Sequence, residues 1–231
     1  MSKTVAIVQS SYIPWKGYLD LINFADEFTL YDDRQYTRRD WRNRNRIKTR
    51  QGVRWLTVPV EVKGRYLQRI DETNVSDPAW AETHWRTLVH TYAAAPFFDR
   101  YRDRLEQTYL GLQDRSLSRI NRRLLETTCE LLGIETKLSW STDYDAHGEK
   151  TDRLVDLCTQ MGATRYLTGP AARDYLEEAR FAEAGIAVSW MDYSGYPEYP
   201  QLYPPFEHAV TVLDLLFHTG PDAPRYMKSF R

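Results

Sequence analysis

The chain has 231 residues, of which 42% are hydrophobic, 27% charged and 13% aromatic, and its formal net charge is −1. These values are typical of a globular protein and exclude a disordered chain, a collagen and a charge-rich coiled coil. No apolar stretch approaches the roughly 18 residues of a membrane span. The two cysteines lack metal-binding spacing and fit a reducing compartment, so we expect a cytoplasmic protein.

Strand and helix patterns alternate in the amino-terminal part of the chain. Short runs of β-branched and apolar residues predict strands, and apolar residues spaced three and four apart predict helices. These patterns place strands at 4–9, 27–31 and 54–60 and a helix at 17–25. A basic segment separates the last two of these strands.

Three helices are predicted next, over 78–94, 97–110 and 116–133. Asp77 and Pro78 are typical of a helix start, Pro96 breaks the pattern, and Gly133 is typical of a helix end. The alternation then resumes, with strands at 135–140, 164–168 and 186–191 and helices at 150–161, 171–184 and 209–218.

The alternation at both ends predicts an α/β fold with a mostly parallel Rossmann-like sheet and a helical insert in the middle of the chain. We expect one α/β domain over 1–231, with 78–132 as an insert or lid subdomain. Residues 192–206 contain four prolines and four tyrosines. This composition predicts a long aromatic loop, and long ordered loops often carry function.

The segment from Arg34 to Arg54 holds nine arginines and lysines against one acid, so its net charge is +8 and the rest of the chain carries −9. Arginine binds phosphate and carboxylate groups bidentately and stacks on rings. The cluster therefore favours an anionic ligand over a merely solvated face. Its candidate ligand-binding residues are Gln35, Arg42, Asn43, Arg44, Asn45, Arg46 and Lys48.

The turn after the first strand occupies the usual phosphate-binding position of open α/β sheets. It lacks the glycine motifs of dinucleotide-binding folds and P-loops. Its Trp-x-Gly-Tyr spacing mirrors the HxGH signature of nucleotidylyltransferases with both histidines replaced, which indicates a shared scaffold without a shared reaction. We place Gln9, Tyr12, Trp15 and Lys16 at the site, where a Tyr12 or Trp15 ring could stack on a base or sugar. A packing role for these rings is the alternative.

Asp32 and His84 are the candidates for a general base. Asp32 and Asp33 end the second strand at the same sheet edge, and His84 lies on the first of the three helices. The structural alternatives are ion pairing for the carboxylates and a core position for the histidine. No metal-binding spacing is found, and the sequence identifies no cofactor. The remaining ligand-binding candidates are Lys150, Thr168, Gly169 and Gln201.

Several segments, taken in order, resemble the WbqC-like protein family of bacteria. Residues 9–21 (QSSYIPWKGYLDL) resemble the family's opening Q-P-x-Y-[LI]-P-W-x-G-Y-F-D-L, and 32–49 with 55–60 resemble its basic signature. Residues 150–176 and 201–220 resemble its carboxyl-terminal signatures. Ser10 stands where the family usually has proline, so we expect a free backbone N–H and a looser turn there.

The resemblance implies a role in bacterial surface-polysaccharide biosynthesis, including that of O-antigen, as an acyl- or aminoacyltransferase that moves a group such as glycyl to an amino sugar. We expect an anionic acceptor such as a sugar nucleotide. Transfer RNA is one candidate aminoacyl donor, because basic residues interleaved with aromatics suit single-stranded RNA. The alternatives are ATP-dependent nucleotidyl transfer on an HxGH-like scaffold and a non-catalytic binding protein of the pathway.

Overall fold

Five parallel strands form the central sheet, and two antiparallel strands form a separate hairpin. The structure is a computed structural model that describes residues 2–230. The strands are β1 (Thr4–Val8), β2 (Glu27–Leu30), β3 (Arg44–Thr49), β4 (Gly52–Thr57), β5 (Lys137–Trp140), β6 (Arg165–Thr168) and β7 (Ala187–Trp190). The α-helices are α1 (Lys16–Asn23), α2 (Trp80–Tyr92), α3 (Phe98–Leu110), α4 (Leu117–Leu132), α5 (Lys150–Gln160), α6 (Glu178–Glu183) and α7 (Val212–Thr219).

The sheet is wound outward in both directions from β1. Its strand order is β5-β2-β1-β6-β7, and every neighbouring pair is parallel. The chain builds one half with β1, β2 and β5, passes through the helices of the middle segment on the way, and then returns to the other side of β1. The predicted Rossmann-like α/β fold is confirmed, and its strand order reverses between β1 and β6.

Alternate residues of β1 face two hydrophobic layers. Val5 and Ile7 pack against α5 and α6, whereas Ala6 joins the larger core formed with α1 to α4 and α7. A parallel sheet covered on both faces gives continuously apolar strands. β1 (TVAIV) follows this rule, whereas the other strands of the sheet mix polar with apolar residues.

The basic segment contains a strand, β3, that the apolar pattern does not predict. β3 pairs with β4 in a hairpin that places Arg46 opposite Trp55. One face of β3 carries Asn45, Ile47 and Thr49, which are buried, and only one of these is hydrophobic. Because the buried face of β3 is mostly polar, a hydrophobicity pattern does not predict this strand.

Several helix boundaries differ from the expectation by a few residues, and the last helix, expected over 209–218, begins at Val212. α2 begins at Trp80, because Asp77 accepts the Ala79 N–H at 2.9 Å and closes a turn before the helix. The helix expected over 171–184 is divided into a 3₁₀ turn (Pro170–Asp174) and α6. Within residues 2–230, every helix is too short or too polar to cross a membrane.

Candidate functional site

The aromatic loop, residues 192–206, begins beside the carboxyl end of β6, an edge at which open α/β sheets bind ligands. Tyr193 lies beside Gly169, so that a Cβ at residue 169 would be 3.6 Å from the Tyr193 hydroxyl. The Trp15 ring packs edge-on against Tyr193 and Tyr196, with centroids 5.3 and 5.6 Å apart. Trp15 therefore takes the packing role.

Because Gly17 has no side chain, the Trp15 ring can pack directly against its backbone. A Cβ at residue 17 would lie 2.3 Å from the indole of Trp15, so the ring would have to move away. Alanine normally stabilises a helix relative to glycine by about 1 kcal/mol. We nevertheless expect Gly17→Ala to destabilise the protein by about 1–3 kcal/mol, because the crowded ring loses its packing. Urea unfolding measures the sign of the change, and a stabilised variant would contradict the packing described here.

Side chains of the basic segment hold the turn between β1 and α1. Asn45 Nδ2 donates to the carbonyl oxygens of Tyr12 and Ile13 at 3.0 and 2.9 Å. Arg42 Nη1 donates to two further carbonyls of the turn at 2.8 and 3.0 Å. Ile13 has a φ of 33°, which a β-branched residue rarely adopts. Asn45 and Arg42 thus direct their hydrogen bonds to the backbone of this turn and fix its conformation.

Tyr12 and His84 are linked to each other in the core. The buried Tyr12 hydroxyl lies 2.8 Å from His84 Nδ1 and 2.9 Å from the Tyr109 hydroxyl. His84 Nε2 lies 3.2 Å from the Thr57 carbonyl, so Nε2 carries the proton and Nδ1 accepts from Tyr12. Burial lowers the pKa of His84 to about 4. Both ring nitrogens have protein partners, and the Tyr12 ring has no exposed face for a ligand.

Asp32 is a buried carboxylate at the carboxyl end of β2. Its Oδ1 accepts the Ser10 N–H at 2.7 Å, and its Oδ2 accepts the Ser118 hydroxyl. The expected free N–H at Ser10 is therefore wrong, because the donor that a proline would lack binds Asp32. Burial raises the pKa of Asp32, although these hydrogen bonds and the charge of Arg42 act in the opposite direction.

Asp33 has a different environment from its neighbour. Burial raises its pKa, but hydrogen bonds from Arg34 and Ser141 and the charges of Arg34 and Arg153 outweigh that effect, so the pKa is lowered. Arg153 Nη2 lies 2.8 Å from Asp33 Oδ2. Asp33 is therefore an ionised partner of arginines, and Asp32 is the carboxylate whose protonation burial favours.

A groove of about 510 Å³ opens beside Asp32. Ser118 lines this groove, and its hydroxyl also accepts the Trp140 Nε1–H at 3.2 Å. Asp32 thus lies one hydrogen bond behind the groove wall. The other lining residues are Asp71, Asn74, Asp114, Arg115, Ser116, Arg119, Trp140 and Thr142.

Two predicted ligand-binding residues, Lys16 and Lys48, contact the aromatic loop, and a third, Gln201, belongs to it. Lys48 Nζ donates to Gln201 Oε1 at 2.8 Å and also to a carbonyl of the loop. Gln201 Nε2 donates to Asp214 Oδ1 at 2.8 Å. Lys16 Nζ donates to another loop carbonyl at 3.0 Å and faces three aromatic rings of the loop at 5.0 to 6.0 Å. Both ammonium groups therefore hold the loop in place.

Burial lowers the pKa of Lys16 from 10.5 to about 8, against the charges of Asp20 and Asp214. Above pH 8 the unfolded chain then binds more protons than the folded chain, so stability rises with pH. From pH 8 to 9 we expect the wild type to gain about 1 kcal/mol relative to Lys16→Met. Urea unfolding at both pH values measures this difference. Lys63→Met, at an exposed position, should leave the slope unchanged, and an equal slope in Lys16→Met would contradict the prediction.

The remaining predicted residues do not line the groove. Gln35 and Lys150 are exposed, Gln9 is half-buried and Thr168 is buried. The Asn43 amide donates to the Val58 carbonyl at 2.8 Å, and Arg44 and Arg46 share one face of β3.

The sequence does not single out Ser118 or Asp214. Asp214 lies within the signature at 201–220, which could have indicated it, whereas Ser118 looks like an ordinary helix residue. Within residues 2–230, no three His, Cys, Asp or Glu side chains converge as a metal site would require.

The strand order and the polar groove at the carboxyl edge define a Rossmann-like α/β protein. The model of the WbqC-like protein family matches residues 9–226. A Mycobacterium tuberculosis protein described as "Uncharacterized protein Rv1507c" is 55% identical over 229 residues, which cover 99% of either chain. No solved structure matches the chain. The chain belongs to the WbqC-like protein family.

Proposed function

We propose that the protein is a transferase of bacterial surface-polysaccharide biosynthesis that moves an acyl or aminoacyl group to the amine of a nucleotide-linked amino sugar. The observation that carries this proposal is the hydrogen-bonded pair of Asp32 and Ser118 in the wall of the groove. A buried carboxylate whose pKa is raised, and which reaches a groove through a hydroxyl, is suited to general base catalysis.

The transfer uses Ser118 as a proton relay. The acceptor amine attacks the acyl carbonyl carbon of an activated ester and gives its proton to Ser118 Oγ, while Ser118 passes its own proton to Asp32. The new N–C bond forms as the ester C–O bond breaks, and Asp32 returns the proton through Ser118 to the leaving oxygen. Arg119, which lines the groove, supplies donors for the oxyanion. Arg115 and Arg119, which pair with Glu61 at 2.6 Å and with Asp114 at 3.3 Å, are the cations of the groove that would bind the phosphates.

A thermal-shift panel tests the proposal with ATP and Mg²⁺, nucleoside diphosphates, amino-sugar nucleotides and bulk tRNA. A ligand at about 100 times its Kd adds roughly 2.7 kcal/mol of stability, which corresponds to about 5–11 °C for a chain of this size. We expect a shift with amino-sugar nucleotides that is lost in Arg119→Ala and kept in Arg86→Ala, an exposed arginine of α2. A shift with ATP alone would favour nucleotidyl transfer, and no shift would favour a non-catalytic binding protein.

A further inference from the structure

The outward face of the hairpin and the turn just before β3 carry two exposed tryptophans and two arginines, which we call the Arg–Trp platform (Trp41, Arg44, Arg46 and Trp55). Trp41 and Trp55 are 39% and 44% exposed, and their ring centroids are 5.1 Å apart. The Arg44 guanidinium lies over the Trp55 ring at 4.0 Å. Large rings exposed side by side in this way are typical of an interaction surface.

The positive charge of this face is mostly unpaired. Among the described residues, Arg44 of this face and the exposed Arg50 in the adjoining turn have no carboxylate within 4.0 Å, and Arg46 has only Glu207 at 3.9 Å. The Arg44 Nε is buried without a hydrogen-bond partner. The partner of this surface should therefore be a polyanion.

The spacing of the cations favours a linear polyanion that carries flat rings. Arg44, Arg46 and Lys48 alternate along one face of β3, so their Cα atoms follow one another at about 6.8 Å. Arg44 and Arg46 can follow the phosphates of an extended strand, whereas Lys48 is buried and bonded to the aromatic loop. The exposed Trp41 ring and the exposed part of the Trp55 ring can stack on unpaired bases. Stacking of this kind is characteristic of single-stranded nucleic acid binding, and a duplex would hide the bases.

We propose that the Arg–Trp platform binds single-stranded nucleic acid. Arg46 precedes Lys48 on the same face of β3, and Lys48 is bonded to the aromatic loop, so a bound strand would run toward the loop. The binding itself is independent of the transferase activity. Only its use to hold an aminoacyl-RNA donor rests on the proposed function.

Fluorescence anisotropy with a labelled twelve-nucleotide oligouridylate tests the proposal without any turnover. We expect Trp41→Ala and Arg44→Ala each to weaken binding at least fivefold. Arg44→Ala should also reduce the slope of log K against log salt by about 0.7, the value for one phosphate contact on a single strand. Trp41→Phe should retain most of the affinity. The controls are Tyr175→Ala and Arg86→Ala, at exposed positions of other elements, which should bind like the wild type.

Further ligands separate this proposal from its competitors. Oligothymidylate of the same length distinguishes RNA from DNA, and binding of either strand supports the platform. Equal affinity for a duplex, or unchanged binding in both platform variants that retain the wild-type Tm, would overturn the proposal. Binding to vesicles of phosphatidylcholine and phosphatidylglycerol, with none to either oligonucleotide, would overturn it in favour of a membrane surface. If the oligonucleotide binds but no transfer is detected, the transferase proposal fails alone.

Discussion

Replacing Asp214 with alanine is expected to lower the free energy of unfolding by about 3–5 kcal/mol, because it leaves buried polar groups without their partner. Asp214 is fully buried on α7. It accepts the hydroxyls of Tyr92 and Tyr199 at 3.0 and 2.8 Å and the Gln201 amide at 2.8 Å. The loss corresponds to a decrease in Tm of roughly 10 °C, which calorimetry can measure.

Asp222→Ala is the matched control for this prediction. Asp222 lies on the surface shortly after α7 and pairs with Arg225 at 3.3 Å, with a side chain that is 58% exposed. Its removal should change stability by no more than about 0.5 kcal/mol. Asp214→Asn keeps the shape and one acceptor oxygen, so we expect an intermediate loss. If Asp214→Ala is no more destabilised than Asp222→Ala, this carboxylate does not anchor the aromatic loop.

The sheet and most helices are predictable from the sequence because their burial follows simple periods. β1 is covered on both faces and therefore shows as a short apolar run, β2 shows as an alternation of polar and apolar residues, and helix ends coincide with proline and glycine. β3 escapes prediction because Asn45 is buried to satisfy two carbonyls of the turn after β1. That requirement arises only when the two segments meet in the folded chain.

The candidate site is predictable to a lesser degree. Lys48 and Gln201, which lie far apart in the sequence, are both recognised by composition and motif, and the fold places them in contact. Ser118 is not recognised, because a serine on an amphipathic helix resembles any other partly polar position. The partner of the Ser10 N–H is equally hidden, since Asp32 reaches it only through the pairing of β1 with β2. Contacts between strand ends depend on register, and the sequence alone does not state register.

Asp32→Asn is expected to lower the turnover of the proposed transfer by about 10²-fold or more, the usual contribution of a general base. The fold should survive, because the asparagine carbonyl oxygen can still accept the Ser10 N–H and its amide can donate to the Ser118 hydroxyl. Product formation from an amino-sugar nucleotide, measured together with Tm, separates loss of chemistry from loss of structure. Unchanged turnover in Asp32→Asn would contradict the relay through Ser118.

His84→Gln should show the opposite behaviour and so serves as the control. Turnover should persist, but stability should decrease by about 1–3 kcal/mol, because the Tyr12 hydroxyl and the Thr57 carbonyl lose their partner. His84→Gln should also change the dependence of folding stability on pH. The pKa of His84 is lowered from 6.5 to about 4, so the unfolded chain binds more protons between these values. Wild-type stability should therefore fall as pH decreases from 6.5 to 4, and His84→Gln should lack this component. If turnover is lost in His84→Gln and retained in Asp32→Asn, the histidine is the base and the groove beside Asp32 is not the reaction site.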